Sequence, residues 1–196
     1  MLKRFFDLVF GFFALILSLP IMGLSVFLVY LEGGFPVIFC QKRVGKDGKL
    51  FEIFKIRTMV NNAEQLQSQI EQRAIDGNLI SKMKDDPRVT HVGRWLRRFS
   101  LDELPQLFNV LAGTMSLVGP RPELPYLAER YEPWQLKRFE VLPGITGWWQ
   151  VNSRSDEPMQ LHVEDDLYYI QNYSIWLDLQ IMVRTIWVVL MGRGSY

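Results

Sequence analysis

Apolar side chains run without a charge from Leu8 to Leu31. As a helix rising about 1.5 Å per residue, that run reaches across a hydrocarbon layer of about 30 Å. It is too long, and too poor in small-residue cleavage sites, to read as a signal peptide. Pro20 lies in its middle and removes a backbone donor, while Ser18 is placed to satisfy a freed carbonyl. The pattern fits a helix bent at Ser18-Leu19-Pro20 that leaves by the face it entered, and it also fits a kinked spanning helix. Lys3 and Arg4 before the run and Lys42, Arg43, Lys46 and Lys49 after it make both flanks basic, which favours the cytoplasmic side for each. Asp7 reads as a solvated charge at the interface. Alternation then takes over: Val37 to Arg43 and Lys49 to Ile56 read as strands, with Gly45-Lys46-Asp47-Gly48 as the turn of a hairpin. Asn61 to Arg73 reads as an exposed helix, and Asp76 to Arg88 as a loop. Val92 to Phe99 reads as an amphipathic basic segment, and Glu123 to Glu140 as a helix broken at Pro133. Leu142 to Arg154 reads as a loop and Met159 to Asn172 as a helix. Asp178 to Leu190 is apolar but interrupted by Arg184, which suits a helix lying in the membrane interface rather than crossing it.

Composition narrows this picture. The 196 residues suffice for one domain with its own core. Basic and acidic residues nearly cancel, 22 against 21, so net charge does not point to nucleic acid. A lone Cys40 excludes an internal disulfide, and His91 and His162 are too few for a Cys/His metal cluster. Trp149, Trp176 and Trp187 sit in apolar surroundings that suit a membrane interface and a core equally. The hairpin carries Lys42, Arg43, Lys46, Lys49, Lys55 and Arg57 against Asp47 and Glu52. That charge fits an edge facing anionic headgroups, a phosphate site, or both.

Candidate chemistry centres on "SLDELPQLFNVLAGTMSLVGPRPE", Ser100 to Glu123. Ser100 and Glu103 have the spacing of a capping box. Pro105 disfavours helical angles at Leu104, so a helix starts either at Ser100 with an awkward first turn or at Pro105. Capping explains Asp102 and Glu103 without any chemistry. Their neighbours suggest more: Arg97 and Arg98 lie upstream, and Arg121 sits on a proline-rich loop, where guanidinium forks suit phosphate oxygens. A carboxylate pair among arginines can hold Mg²⁺ brought in with a diphosphate, and an aspartate can attack phosphorus to form an acyl-phosphate.

The chain resembles the small monotopic phosphoglycosyl transferases of the bacterial sugar transferase family. The resemblance runs from "KRFFD" (Lys3 to Asp7) to "LDLQI" (Leu177 to Ile181), most specifically in "FKIRTM", "DPRVTHVGRWLRRFSLDELPQLFNVL", "MSLVGPRPE" and "LPGITGW". It implies an α+β, mostly helical fold: a re-entrant membrane helix hairpin over 1–34 broken near Ser18 and Pro20, then a catalytic domain over 35–196 with a small β-hairpin and interfacial amphipathic helices. The implied reaction moves a sugar-1-phosphate from a nucleoside diphosphate sugar, expected to be a uridine one, to polyprenyl (undecaprenyl) phosphate. The implied setting is the cytoplasmic face of the bacterial inner membrane, at the first membrane step of polysaccharide assembly such as lipopolysaccharide or capsule. Asp102 is the implied nucleophile and Glu103 the implied Mg²⁺ ligand. Arg121 is an implied phosphate contact, and Lys55, Arg57, Arg97, Gln150 and Arg154 fall on motif positions that line the site. Implied partners are the nucleotide sugar, polyprenyl phosphate and membrane lipids, with a homodimer as an option and no nucleic acid. The chain looks like the minimal catalytic unit of the family. It departs from the family pattern in Ser-Leu-Pro for Ser-Pro, in Ala112 and Thr114 for Lys and Asp, and in Trp149 and Ser153 for small residues. A membrane scaffold and a direct glycosyltransferase are the competing readings.

Overall fold

The computed structural model describes residues 2–63, 65–66, 86–152 and 162–191. Where the resemblance implies a broken hairpin, the chain forms one helix, α1 (Leu2–Gly33), with Pro20 inside it. Side-chain hydroxyls around the proline bond back to the helix: Ser18 Oγ donates to the Leu15 carbonyl (2.9 Å) and Ser25 Oγ to that of Ile21 (2.7 Å). By length and composition α1 can cross a membrane. Its buried positions, Asp7, Gly11, Ser18, Met22, Ser25 and Val29, recur at helical spacing along its whole length. Phe5, Phe13, Leu17, Leu24, Phe27 and Leu31 face outward.

Both ends of α1 are bonded to the rest of the protein. At the first end Lys3 Nζ reaches Asp178 (2.8 Å) and the Val118 carbonyl (3.0 Å), and Arg4 donates to the carbonyls of Val110 and Leu111. Asp7 is buried, not solvated: Oδ1 accepts from the Ser116 hydroxyl (2.9 Å) and the Leu117 N–H (3.0 Å). At the other end the Glu32 carboxylate accepts from the N–H groups of His91 (2.8 Å) and Val92 (3.1 Å).

The predicted hairpin forms as β1 (Ile38–Val44) and β2 (Leu50–Ile56), antiparallel with Val44 opposite Leu50. Asp47 and Gly48 take positive φ in its turn, and Cys40 is free and exposed. The basic segment is α2 (His91–Arg98), capped by Thr90, whose Oγ1 accepts from the Gly93 N–H (2.9 Å). Gly93 is where α2 meets the chain after β2: a Cβ there would stand 2.1 Å from the Thr58 carbonyl oxygen. Next come α3 (Gln106–Ala112), β3 (Ser116–Val118) and α4 (Pro125–Ala128). The predicted helix over Glu123 to Glu140 is only α4 and a 3₁₀ stretch at Gln135–Glu140, because Pro125 can start a helix but Pro133 cannot continue one. The predicted loop over Leu142 to Arg154 holds β4 (Gly144–Thr146), parallel to β3, and α5 (Trp148–Asn152). The chain closes with α6 (Val163–Gln171) and α7 (Ile175–Leu190). The helix predicted over Asn61 to Arg73, and the loop after it, fall largely outside the described residues.

Three apolar clusters join these elements. Val29, Ile56 and Leu96 fasten α1 to β2 and α2. Ile53, Val110 and Met115 pack β2 on α3. Val118, Tyr169, Leu177 and Ile181 pack β3 on α6 and α7. The outer side of α7 leaves Trp176, Val183, Ile186, Trp187 and Leu190 exposed.

Candidate active site

Asp102 and Glu103 lie on a 3₁₀ turn, Leu101–Glu103, wedged between α2 and α3. The turn begins at Ser100, which takes left-handed angles (φ 52°, ψ 26°) and makes no side-chain cap bond to it. The capping box therefore does not form, and the side chain that would complete it, Glu103, points elsewhere. Leu104 adopts right-handed helical angles in spite of Pro105. The 3₁₀ turn and α3 run together through it, with the Leu107 N–H bonded to the Leu104 carbonyl (3.0 Å). Both predicted helix starts are thus realised, one as a 3₁₀ turn and one as α3.

The two carboxylates are held differently. Glu103 Oε1 accepts from Lys55 Nζ on β2 and from Arg121 Nη2 after β3, each at 2.8 Å. Burial alone would raise the Glu103 pKa, but the Arg121 and Lys55 charges, with their hydrogen bonds, hold it far below the usual carboxylate range. Asp102 is 8% exposed and has no hydrogen-bond partner among the described residues. Burial pushes its pKa up; Lys55 opposes that, Glu103 beside it adds to it, and Arg97 and Arg121 pull it back. Arg97 Nε donates to Thr58 Oγ1 (2.9 Å), which turns its guanidinium toward the dyad's field. Its pKa is lowered by burial and supported chiefly by the Asp102 charge.

Lys55, Arg97 and Arg121 therefore converge on the dyad. Arg57 does not: it bonds to the Gly34 carbonyl (2.7 Å) and to Asn61, tying down the end of α1. Gln150 Nε2 donates to the Ile145 carbonyl (3.1 Å) within its own loop. Arg154 and Ser153 lie outside the described residues. Of the other departures from the family pattern, Ala112 ends α3 and Thr114 bonds to Asn109 just beyond it, at the end of α3 away from the dyad. Trp149 is buried, with its ring 5.9 Å from that of His162.

Sequence reading takes Arg43 only as part of the hairpin's basic charge, and overlooks the contacts of Glu123, Arg138 and Asp166. Arg43 on β1 donates to the Pro122 carbonyl (3.2 Å) and to Gln41 (2.7 Å). Its pKa is pulled down to about 10 by burial and by the nearby Arg121 charge. Arg138 is fully buried against Asp166, Glu123 and Tyr131. Charged neighbours surround most of them in sequence, Lys42 beside Arg43, Lys137 beside Arg138 and Asp165 beside Asp166, so no local signal singles them out or names a partner.

Among the described residues no cluster of three or more metal-ligating side chains occurs. The dyad nevertheless suits Mg²⁺, a cation that takes one or two carboxylates and completes its shell with water and phosphate oxygens. Both hydrogen bonds to Glu103 fall on Oε1, which leaves Oε2 as a ligand. Cations outnumber carboxylates around the dyad, so the site as a whole favours an anion.

Sequence comparison fits this geometry. The profile of a family described as bacterial sugar transferase matches residues 1–192. The chain is 42% identical over 199 residues to an undecaprenyl-phosphate galactose phosphotransferase of Salmonella typhimurium, covering 100% of this chain and 42% of that protein. It is 39% identical over 206 residues to an undecaprenyl-phosphate glucose phosphotransferase of Komagataeibacter xylinus, covering 99% of this chain and 37% of that one. An uncharacterised sugar transferase of Bacillus subtilis is 42% identical over 193 residues, with 98% of this chain and 89% of that protein aligned. The chain thus spans about two-fifths of the first two relatives and most of the third.

Proposed function

The chain belongs to the bacterial sugar transferase family, and from that premise we propose that it is a phosphoglycosyl transferase working through a covalent aspartyl intermediate. The donor is a nucleoside diphosphate sugar, uridine being the expected base, and the acceptor is polyprenyl phosphate. The observation that carries this reading is the asymmetry of the dyad: Glu103 is clamped by Lys55 and Arg121, while Asp102 has no hydrogen-bond partner among the described residues. A carboxylate stripped of donors and partly desolvated is a stronger nucleophile than one pinned in an ion pair.

In the first displacement an Asp102 oxygen bonds to the phosphorus that carries the sugar. The bond from that phosphorus to the bridging oxygen breaks, and nucleoside monophosphate leaves with the electron pair. In the second, an oxygen of the lipid phosphate attacks the same phosphorus and the bond to Asp102 breaks. The product is a polyprenyl diphosphate sugar, and the carboxylate is restored. Arg121, Lys55 and Arg97 face the charge that builds on the phosphoryl oxygens, in preorganised positions that cost no rearrangement during the step. Glu103 fixes two of these cations with one oxygen and presents the other to Mg²⁺. When bound, Mg²⁺ supplies charge neutralisation on the diphosphate.

The acceptor's tail is soluble only in lipid, so the site must work at a membrane surface. Two features support a re-entrant α1 with the catalytic body on one face. Lys3, Arg4 and Asp7 are bonded to the same body as Glu32, from opposite ends of the helix. The exposed apolar sides of α1 and α7 offer surface to lipid, and the exposed Trp176 and Trp187 on α7 suit an interfacial position for it. By the positive charge on both flanks, that face is the cytoplasmic one.

The deciding experiment gives the protein donor without acceptor. Up to one equivalent of nucleoside monophosphate per enzyme is expected, followed by ping-pong kinetics when lipid phosphate is added. EDTA should abolish the burst and added Mg²⁺ restore it. Release of nucleoside diphosphate would mean direct glycosyl transfer, and release of neither nucleotide would leave a scaffold.

A further inference from the structure

The Pro120-Arg121-Pro122 run contains two residues without an N–H, so its backbone is fixed mainly through its carbonyls. Each of the three is bonded by a different element. The Pro120 carbonyl accepts from the Gly144 N–H on β4 (2.9 Å), that of Arg121 from Arg138 Nη2 (2.8 Å), and that of Pro122 from Arg43 Nη1 (3.2 Å). Only the middle bond acts on the residue whose guanidinium clamps Glu103.

We propose that Arg138 is a positioning residue for phosphoryl transfer: it holds the Arg121 backbone so that the Arg121 guanidinium stays in register with Glu103 and the transferring phosphate. This rests on the reading of Arg121 as a phosphate contact in the reaction above. Arg138 is 1% exposed, and every arm of its fork is engaged. Nε and Nη2 meet Asp166 Oδ2 at 3.0 and 2.6 Å, and Nη1 meets the Tyr131 hydroxyl at 2.9 Å and Glu123 Oε2 at 3.5 Å. Its guanidinium lies 5.6 Å from the ring centres of both Tyr131 and Phe139. The Tyr131 hydroxyl in turn donates to Glu123 (2.6 Å), whose backbone pairs with Val44 at the end of β1.

A buried ion cluster of this kind is a poor way to gain stability, because desolvating the charges cancels much of their attraction. Its distinctive property is direction. A planar five-donor fork can grip a carboxylate on one edge and a chosen carbonyl on another, which a lysine cannot do. The cluster therefore acts on catalysis through the Arg121 backbone.

A double-mutant cycle tests this, with single-turnover release of nucleoside monophosphate from donor as the readout. Arg121→Ala should slow release by about 100-fold, as for loss of a preorganised donor. Arg138→Lys should slow it by roughly tenfold, in kcat rather than in KM for the donor. In the Arg121→Ala background Arg138→Lys should have no further effect, because the residue it positions is gone. Tyr131→Phe, which removes one partner of Arg138 and leaves the Asp166 pair intact, should show a smaller loss that also vanishes in that background. It replaces Arg138→Lys if the lysine variant melts below the assay temperature. Losses that multiply in the double variant, or full activity in Arg138→Lys and Tyr131→Phe alike, overturn the positioning role while leaving Arg121 a phosphate contact. Full activity in Arg121→Ala removes the phosphate contact itself, and the positioning role falls with it.

Discussion

A buried carboxylate without a donor is costly to keep ionised, and Asp102, which has none among the described residues, lies directly beside a carboxylate with two cationic partners. On the proposed mechanism, Asp102→Asn removes the attacking oxygen and the buried charge together. Activity should fall on the order of 10⁴-fold or more, the scale seen when one member of a catalytic unit is lost. Its melting temperature should hold or rise, since the folded-state pKa of Asp102 is raised and its ionisation opposes folding. For the same reason the wild-type burst rate should drop as pH falls through that raised value. Glu103 has the opposite sign: its folded pKa is depressed, so its contribution to stability is complete above its unfolded value near 4.5 and is lost as pH falls below that. Thermal melts against pH for wild type, Asp102→Asn and Glu103→Gln separate the two, and an Asp102→Asn protein that turns over at wild-type rate would remove the covalent step. Two carboxylates, a proline-rich arginine loop and a basic hairpin make the dyad suggestive in the sequence, and the resemblance to the family singles it out. Asp7 and Arg138 were not legible, because their partners lie 109 and 28 residues away and no local pattern announces a buried pair.

Period located some elements and misled at others, since the helix read over Glu123 to Glu140 is only α4 and a 3₁₀ stretch. The β1–β2 hairpin has alternation on both sides of a glycine-bounded turn, and α2 and α7 have a helical stripe. β3 and β4 are three residues each, too short to alternate, and they pair in parallel across a separation that only the folded chain closes. They nevertheless matter to the site, because the chain leaving β3 carries Gly119-Pro120-Arg121, and a Cβ on Gly144 would stand 2.1 Å from the Gly119 nitrogen. The link between α1 and α2 was equally hidden. Glu32 caps the first N–H groups of α2 from outside, and α2 carries Arg97 to the dyad. A carboxylate at a helix N-terminus satisfies unpaired donors and complements the helix dipole, worth about 1 kcal/mol. Glu32 is exposed, so Glu32→Ala should fold, melt about 2–4 °C lower and exchange the His91 and Val92 amide protons faster. Unchanged exchange at those two amides would show that Thr90 caps α2 without help.

At the scale of the whole molecule, the apolar helix α1 and the rest of the chain are parts of one bonded structure. A helix with 32 residues has the length to span, and its hydropathy cannot distinguish spanning from re-entry. The bonds at its ends support the proposed re-entry. If α1 crossed the bilayer, its ends would be separated by about 30 Å of hydrocarbon. The contacts of Lys3 with Asp178, Arg4 with Val110 and Leu111, and Asp7 with Ser116 and Leu117 could not then coexist with those of Glu32 to α2. Losing them would leave Asp7 and Asp178 without partners they now have, several bonds each worth about 1 kcal/mol or more. Re-entry keeps all of them and places only apolar side chains of α1 in lipid. The test replaces Cys40, the one cysteine, by serine, and introduces Leu2→Cys or Lys46→Cys at exposed positions that make none of these contacts. A membrane-impermeant thiol reagent should label both positions in inside-out vesicles and neither in sealed right-side-out ones. Labelling of the two positions from opposite faces would make α1 a spanning helix. Pro20→Ala in the Leu2→Cys protein then asks what sets the bend. If proline weakens the helix where it must turn, the alanine variant should shift part of the Leu2→Cys population to the far side, with turnover falling in proportion as the Asp7 contacts are lost. A Pro20→Ala protein labelled like its parent would assign the re-entrant path to the bonds at the two ends rather than to the proline.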